Sequence, residues 1–157
     1  MPSDVCMCVI SDQQEDRRLA FQLFSELEHV AALRSIDVRL VEMQFNARQQ
    51  QYKDQFPDAQ AWAVRFEGDV VGRMLIDQSK RPWTLVDLTV MASHRGKGIG
   101  GQAIAIVLAD ADAKDESINA SLFAQNQVAQ RFWERMGFSV HRGDGGYWAL
   151  RYPAESE

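Results

Sequence analysis

A chain of 157 residues with 46% hydrophobic and 25% charged side chains is sized for one soluble domain. Its net charge of −5 argues against nucleic acid, whose phosphate backbone needs a basic face. No apolar run approaches 18 residues, so a membrane is not expected either. Asp4 stands where a signal peptide would be basic, and no apolar core follows, which points to the cytoplasm.

Val5 to Ile10 has the composition of a first strand. On it Cys6 and Cys8 share one face, and two small buried thiols are expected. His29, His94 and His141 offer no compatible ligand spacing, so no metal is expected. The polar start Ser11-Asp12-Gln13-Gln14-Glu15 opens a helix whose apolar positions, Leu19 to Val30, carry it to about Ala32. A second helix is predicted from Val38 to about Gln55, with Leu40, Val41, Met43, Phe45 and Tyr52 on its inner side.

Ala61–Phe66 and Val70–Ile76 flank Glu67-Gly68-Asp69 as a hairpin, and Pro82 precedes a strand from about Trp83 to Met91. A third helix continues through Ala103 to Ala113. Ile118 to Phe123 makes a short strand, and Asn126 to Met136 an amphipathic helix stopped at Gly137. Phe138 to His141 and Tyr147 to Tyr152 pair across a glycine-rich turn. The expected order is β-α-α-β-β-β-α-β-α-β-β: an α/β (α+β) domain over 1–152, with about seven strands, four helices and a disordered tail at 153–157.

One stretch carries chemistry. Between the strand ending near Met91 and the third helix lies Ser93-His94-Arg95-Gly96-Lys97-Gly98-Ile99-Gly100-Gly101. Four glycines in six positions let backbone N–H groups turn toward one anion. They sit where unpaired amides and the helix dipole also favour negative charge. Arg95 and Lys97 add two cations, making a phosphate cradle. Gly96 to Gly101 satisfies the dinucleotide fingerprint G-x-G-x-x-G, but the nearby acids Asp115 and Glu116 precede the next strand and too little chain follows. A Walker loop is excluded because no G-K-[ST] occurs.

Arg95-Gly96-Lys97-Gly98-Ile99-Gly100 matches the acyl-CoA pyrophosphate loop Q/R-x-x-G-x-G/A at every fixed position. Asn126-Gln127-Val128-Ala129-Gln130-Arg131-Phe132-Trp133-Glu134-Arg135-Met136-Gly137-Phe138 resembles a second segment, N-x-x-A-x-x-[FL]-Y-x-[KR]-x-G-F. In both motifs, and in element order over nearly the whole chain, the sequence resembles the GNAT superfamily of N-acyltransferases.

That resemblance implies the GNAT fold and an N-acetyltransferase moving acetyl from acetyl-CoA to a primary amine by direct attack in a ternary complex. It implies cofactor contacts from Arg95, Gly96, Lys97, Gly98, Ile99, Gly100, Asn126 and Trp133. Backbone groups of Leu88 and Val90, on a strand parted from its neighbour, would meet the pantetheine arm and polarise the acyl carbonyl. The family's tyrosine acid is replaced by Trp133, whose indole cannot serve as an acid near neutral pH. Asp87 is the candidate base, against pairing with Arg73 or proton loss to water. Alternation puts it with Leu85 and Thr89, opposite Val86, Leu88 and Val90. Met43, Phe45, Tyr52, Tyr147 and Trp148 are acceptor-side candidates. The expected partner is a small-molecule or peptide amine, with the protein a monomer or homodimer. The rival is a non-catalytic acyl-CoA-binding module of the same fold.

Overall fold

A computed structural model describes residues 4–124 and 126–154. Seven strands form one sheet: β1 (Val5–Val9), β2 (Gln60–Phe66), β3 (Asp69–Asp77), β4 (Trp83–Val90), β5 (Ile118–Phe123), β6 (Ser139–His141) and β7 (Tyr147–Tyr152). Their spatial order is β1-β2-β3-β4-β5-β7-β6, antiparallel throughout except for the parallel β4–β5 pair. Five helices accompany it: α1 (Gln13–Ser25), α2 (Glu28–Arg34), α3 (Val38–Gln55), α4 (Ile99–Ala113) and α5 (Gln127–Arg135). This is the mixed α/β architecture expected, with one helix more.

The extra helix comes from a break in the first one. Ser25 donates its hydroxyl to the Phe21 carbonyl, and Leu27 is extended at φ −65°, ψ 138°, before α2 begins. The break lets Val30 reach a small core with Ala20, Phe24, Val41 and Phe45. On α3 the buried stripe is Val41 and Phe45; Leu40 and Met43, expected inside, face solvent. The stripe continues through Arg48 and Tyr52, at helical spacing from Val41 and Phe45.

The larger core lies between the sheet and α4, with Met74, Ile76, Leu85, Ile99, Ile104 and Leu150 at its centre and Phe132, Trp133 and Met136 of α5 against it. On the other sheet face α1 packs over β3, while α3 rests on α1 and α2. The equivalent face of the edge strand β1 stays open, so Cys6 and Cys8 share a face as expected but are exposed rather than buried. Among the described residues no helix is long and apolar enough to cross a membrane, and no His, Cys, Asp or Glu group is placed to hold a metal ion.

Two local features set the strand geometry. Glu67 and Gly68 form a two-residue turn with φ of 51° and 88°, the primed type that suits a hairpin's twist. In β4, Leu75 pairs with Asp87 but Ile76 pairs with Leu85, so Val86 is an extra, bulged residue. The bulge breaks the alternation expected from sequence. Leu85 joins the α4-side core, while Asp87 and Thr89 face the α1 side. Of the tail, Ala154 donates its N–H to the Gly137 carbonyl at 2.8 Å, and residues 155–157 lie outside the described residues.

Candidate active site

Strands β4 and β5 pair only at Trp83–Ile118 and Thr84–Asn119, then part. A cleft of about 350 Å³ opens between them, lined by Leu85, Val86, Asp87, Leu88, Val90, Gly100, Ala120, Ser121, Phe132 and Trp133. Parted strands leave main-chain donors and acceptors available to an extended amide-bearing ligand, as at a sheet edge. The expected splay is therefore present, around Leu88 and Val90.

At the top of β4 the last rung is Met91 N–H to the Val71 carbonyl, 2.7 Å, followed by a 3-10 turn at Ala92–His94. Arg95 donates Nε to the Val90 carbonyl at 3.1 Å, which ties the loop's first cation to the strand end. Gly96 and Gly98 both take φ of +77°, a conformation that side-chain-bearing residues rarely adopt. Gly98 is the N-cap of α4 and brings no side-chain cap, so the first-turn amides keep their capacity for an anion. Arg95, Gly96, Lys97 and Gly98 are exposed; Ile99 is 1% exposed, so only its backbone can contribute.

The helix then passes close to the strand. A Cβ on Gly100 would touch Val90 Cγ2 at 3.9 Å and Leu88 Cδ2 at 4.0 Å, and one on Gly101 would touch the Phe132 ring at 3.6 Å. On α5, Asn126 accepts from Ala129 N–H at 3.0 Å and so caps the helix. Trp133 packs edge-on between Phe132 and Phe138, with both centroid distances 5.0 Å, and also lines the cleft. It is at once a packed aromatic and a cleft wall. Ser121 brings the one hydroxyl among the cleft-lining residues.

On the opposite face of β4 a second, narrower pocket is bounded by Phe24, Arg48, Gln49, Tyr52, Arg73, Asp87 and Thr89, among others. Asp87 borders both spaces. Arg73, the pairing partner weighed against a role as base, is engaged elsewhere, in a two-pronged bond to Asp16 at 2.6 and 2.9 Å. Asp87 instead meets Arg48 Nη2 at 3.3 Å, with the Thr89 hydroxyl at 3.4 Å. Arg48 also lies 5.7 Å from the Phe24 ring centroid and 5.3 Å from that of Tyr52. Burial, with a smaller contribution from the Asp87 charge, raises the Tyr52 phenol above its ordinary value; Arg48 opposes this.

The remaining acceptor-side candidates separate. Phe45 is core, Met43 and Tyr147 are exposed, and Trp148 packs on the α4 side beneath Arg142. Sequence reasoning missed Arg48 and Asp16. Each was findable, as a charge on an otherwise apolar helical stripe: Val41-Phe45-Arg48-Tyr52 in α3 and Asp16-Ala20-Leu23 in α1. It also missed Gly72, where a Cβ would sit 2.7 Å from the Thr89 carbonyl oxygen.

Comparison with known proteins agrees with this geometry. A family model described as acetyltransferase (GNAT) family matches residues 30–138. No curated protein matches the chain by sequence. Among solved structures, a protein from Pyrococcus horikoshii OT3 superposes with a TM-score of 0.71 at 13% identity, covering 98% of this chain and 99% of that one. A PaiA N-acetyltransferase from Thermoplasma acidophilum, in complex with coenzyme A, gives 0.67 at 14% identity, covering 93% and 98%. A GNAT family acetyltransferase from Elizabethkingia anophelis with acetyl-CoA bound gives 0.64 at 11% identity, covering 96% and 98%. At these identities the likeness speaks to the fold.

Proposed function

The chain belongs to the GNAT acetyltransferase family, and from that premise we propose that it is an N-acetyltransferase that uses acetyl-CoA to acetylate a primary amine. The observation that carries the proposal is the β4–β5 parting directly beside an uncapped, glycine-built helix start. The residues present fit the cosubstrate. The Gly96 and Gly98 amides, Arg95 and Lys97 would hold its diphosphate, the Leu88 and Val90 backbone its pantetheine arm, and Gly100 leaves room beside both. When bound, acetyl-CoA supplies an acyl group already activated as a thioester.

The protein's part is then positioning and polarisation. A strand N–H near Val90 would polarise the acyl carbonyl, and a cleft that holds both reactants would supply much of the rate advantage. Asp87 takes the proton from the ammonium, reached from the α1 side of the strand, or passes it to water. No tyrosine is among the described residues lining the cleft, so the thiolate would have to leave without the family's tyrosine acid. That is tolerable for a thiol whose ordinary pKa is about 8.5.

The test is calorimetry with acetyl-CoA followed by a thiol-release assay over a panel of primary amines. Binding with amine-dependent thiol release supports the proposal. Binding with no release from any amine favours an acyl-CoA-binding module, the case for which Trp133 speaks. No binding removes both.

A further inference from the structure

Two arginine–aspartate pairs join helix to strand on the α1 side of the sheet, and they are built differently. Arg73 has a side chain 6% exposed and grips Asp16 with two short bonds. Arg48 is 34% exposed and reaches Asp87 with a single bond of 3.3 Å. Arg73 rises from the middle of β3, whereas Arg48 hangs from α3, which packs on α1 and α2. The second pair joins a long flexible side chain to a carboxylate at the edge of the candidate active site.

What surrounds the Arg48 guanidinium is a set of groups that would suit any compact cation. Asp87 supplies the counter-charge, and the rings of Phe24 and Tyr52 lie 5.7 and 5.3 Å away from two different helices. Aromatic rings attract a cation through their quadrupole, the more so where water is partly excluded. Asp87 also borders the cleft between β4 and β5. An amine attacking in that cleft arrives as an ammonium beside the same carboxylate.

We propose that Asp87, Phe24 and Tyr52 form a subsite for the acceptor's primary ammonium, and that Arg48 is a resident cation which the acceptor displaces on binding. Arg48 is then a specificity-determining residue: it neutralises Asp87 in the empty enzyme and turns away cations too weakly bound to expel it. The inference rests on the acetyltransferase proposal for the word acceptor, but the cation site itself does not.

The experiment replaces the resident cation. Arg48→Ala protein is titrated with n-butylammonium, methylguanidinium, 1-butanol and acetate, following the ring resonances of Phe24 and Tyr52 by NMR. Butylammonium should bind the variant saturably and at least tenfold more tightly than wild type, and 1-butanol should not. Adding Asp87→Asn should abolish the binding. Equal affinity in wild type and variant, or 1-butanol binding as well as butylammonium, would overturn the subsite. Acetate binding that is present in wild type and lost in Arg48→Ala would overturn it in favour of an anion-gripping Arg48. These shifts need neither acetyl-CoA nor turnover, so an absence of thiol release would count against acetyl transfer and leave the cation site to be decided on its own. Where an amine is turned over, Arg48→Ala should lower its KM at least fivefold with acetyl-CoA affinity unchanged. An unchanged KM would sink the gating role.

Discussion

On the α4 side of β4, Leu88 and Val90 meet Gly100, twelve and ten positions further along the same strand–loop–helix unit. On the α1 side, Asp87 meets Arg48, 39 positions earlier and on a helix with no local link to the strand. The first face is made of backbone: the first-turn amides of α4 and the glycines at positive φ before them. The second is made of side chains brought in from α1 and α3. A phosphate-bearing ligand suits the first kind of surface, because main-chain N–H groups present fixed donors whatever the side chains do. Under the proposed function, selection among amines would belong to the second, where one changed side chain alters charge and shape.

The sharpest way to break this contrast is through the two ion pairs on the acceptor side. Arg73→Ala deletes a side chain only 6% exposed together with both of its bonds to Asp16, and should cost about 3 kcal/mol in denaturant unfolding. Gly72→Ala comes next. Its Cβ would press on the Thr89 carbonyl oxygen, so β4 must shift, with a loss of about 2 kcal/mol and a lower melting temperature. An unchanged melting temperature would show that the β3–β4 spacing is not set there. On the cofactor side, Arg95→Ala should weaken acetyl-CoA binding about tenfold, equivalent to about 1.4 kcal/mol, by calorimetry. Unchanged affinity would count against the cradle. Arg48→Ala should cost less than about 1 kcal/mol in folding stability, since its side chain is 34% exposed and makes a single bond to Asp87. A loss equal to that of Arg73→Ala would erase the distinction between a structural and a displaceable pair.

The smallest effect concerns pH. Burial raises the Tyr52 phenol above its ordinary 10.0, and burial with the Asp112 bond does the same for Tyr152. A raised phenol favours the folded state fully below pH 10.0 and loses that contribution as pH climbs through the folded value. Tyr52→Phe should therefore flatten the alkaline fall in melting temperature without changing stability near neutrality.

Much of the glycine loop and its strand–turn–helix setting was legible from sequence because its determinants are contiguous. Arg95 to Gly101 fall between a β-rich run and an apolar helix, and each local preference agrees with the next. Gly137 at a helix end and Glu67-Gly68 in a hairpin were legible for the same reason. The misread places share a different cause. Leu85 was put on the wrong face because a bulge at Val86 shifts the register, and a bulge depends on what the neighbouring strand offers. Cys6 and Cys8 were expected inside because strand periodicity says which residues share a face but not whether a helix covers it. Asp87 was matched with Arg73 through adjacent strands, while the helices drew Arg73 to Asp16 and brought Arg48 to Asp87.

Sequence alone set the order of the seven strands, the glycine turn ahead of α4 and the tryptophan at position 133, all properties of neighbouring residues under short-range steric and hydrogen-bonding rules. The tertiary structure decided how far β4 and β5 stay together, which carboxylate faces which guanidinium, and which surfaces remain open. Those outcomes depend on packing between segments tens of residues apart, where several pairings satisfy local preference equally and only the assembled core selects one.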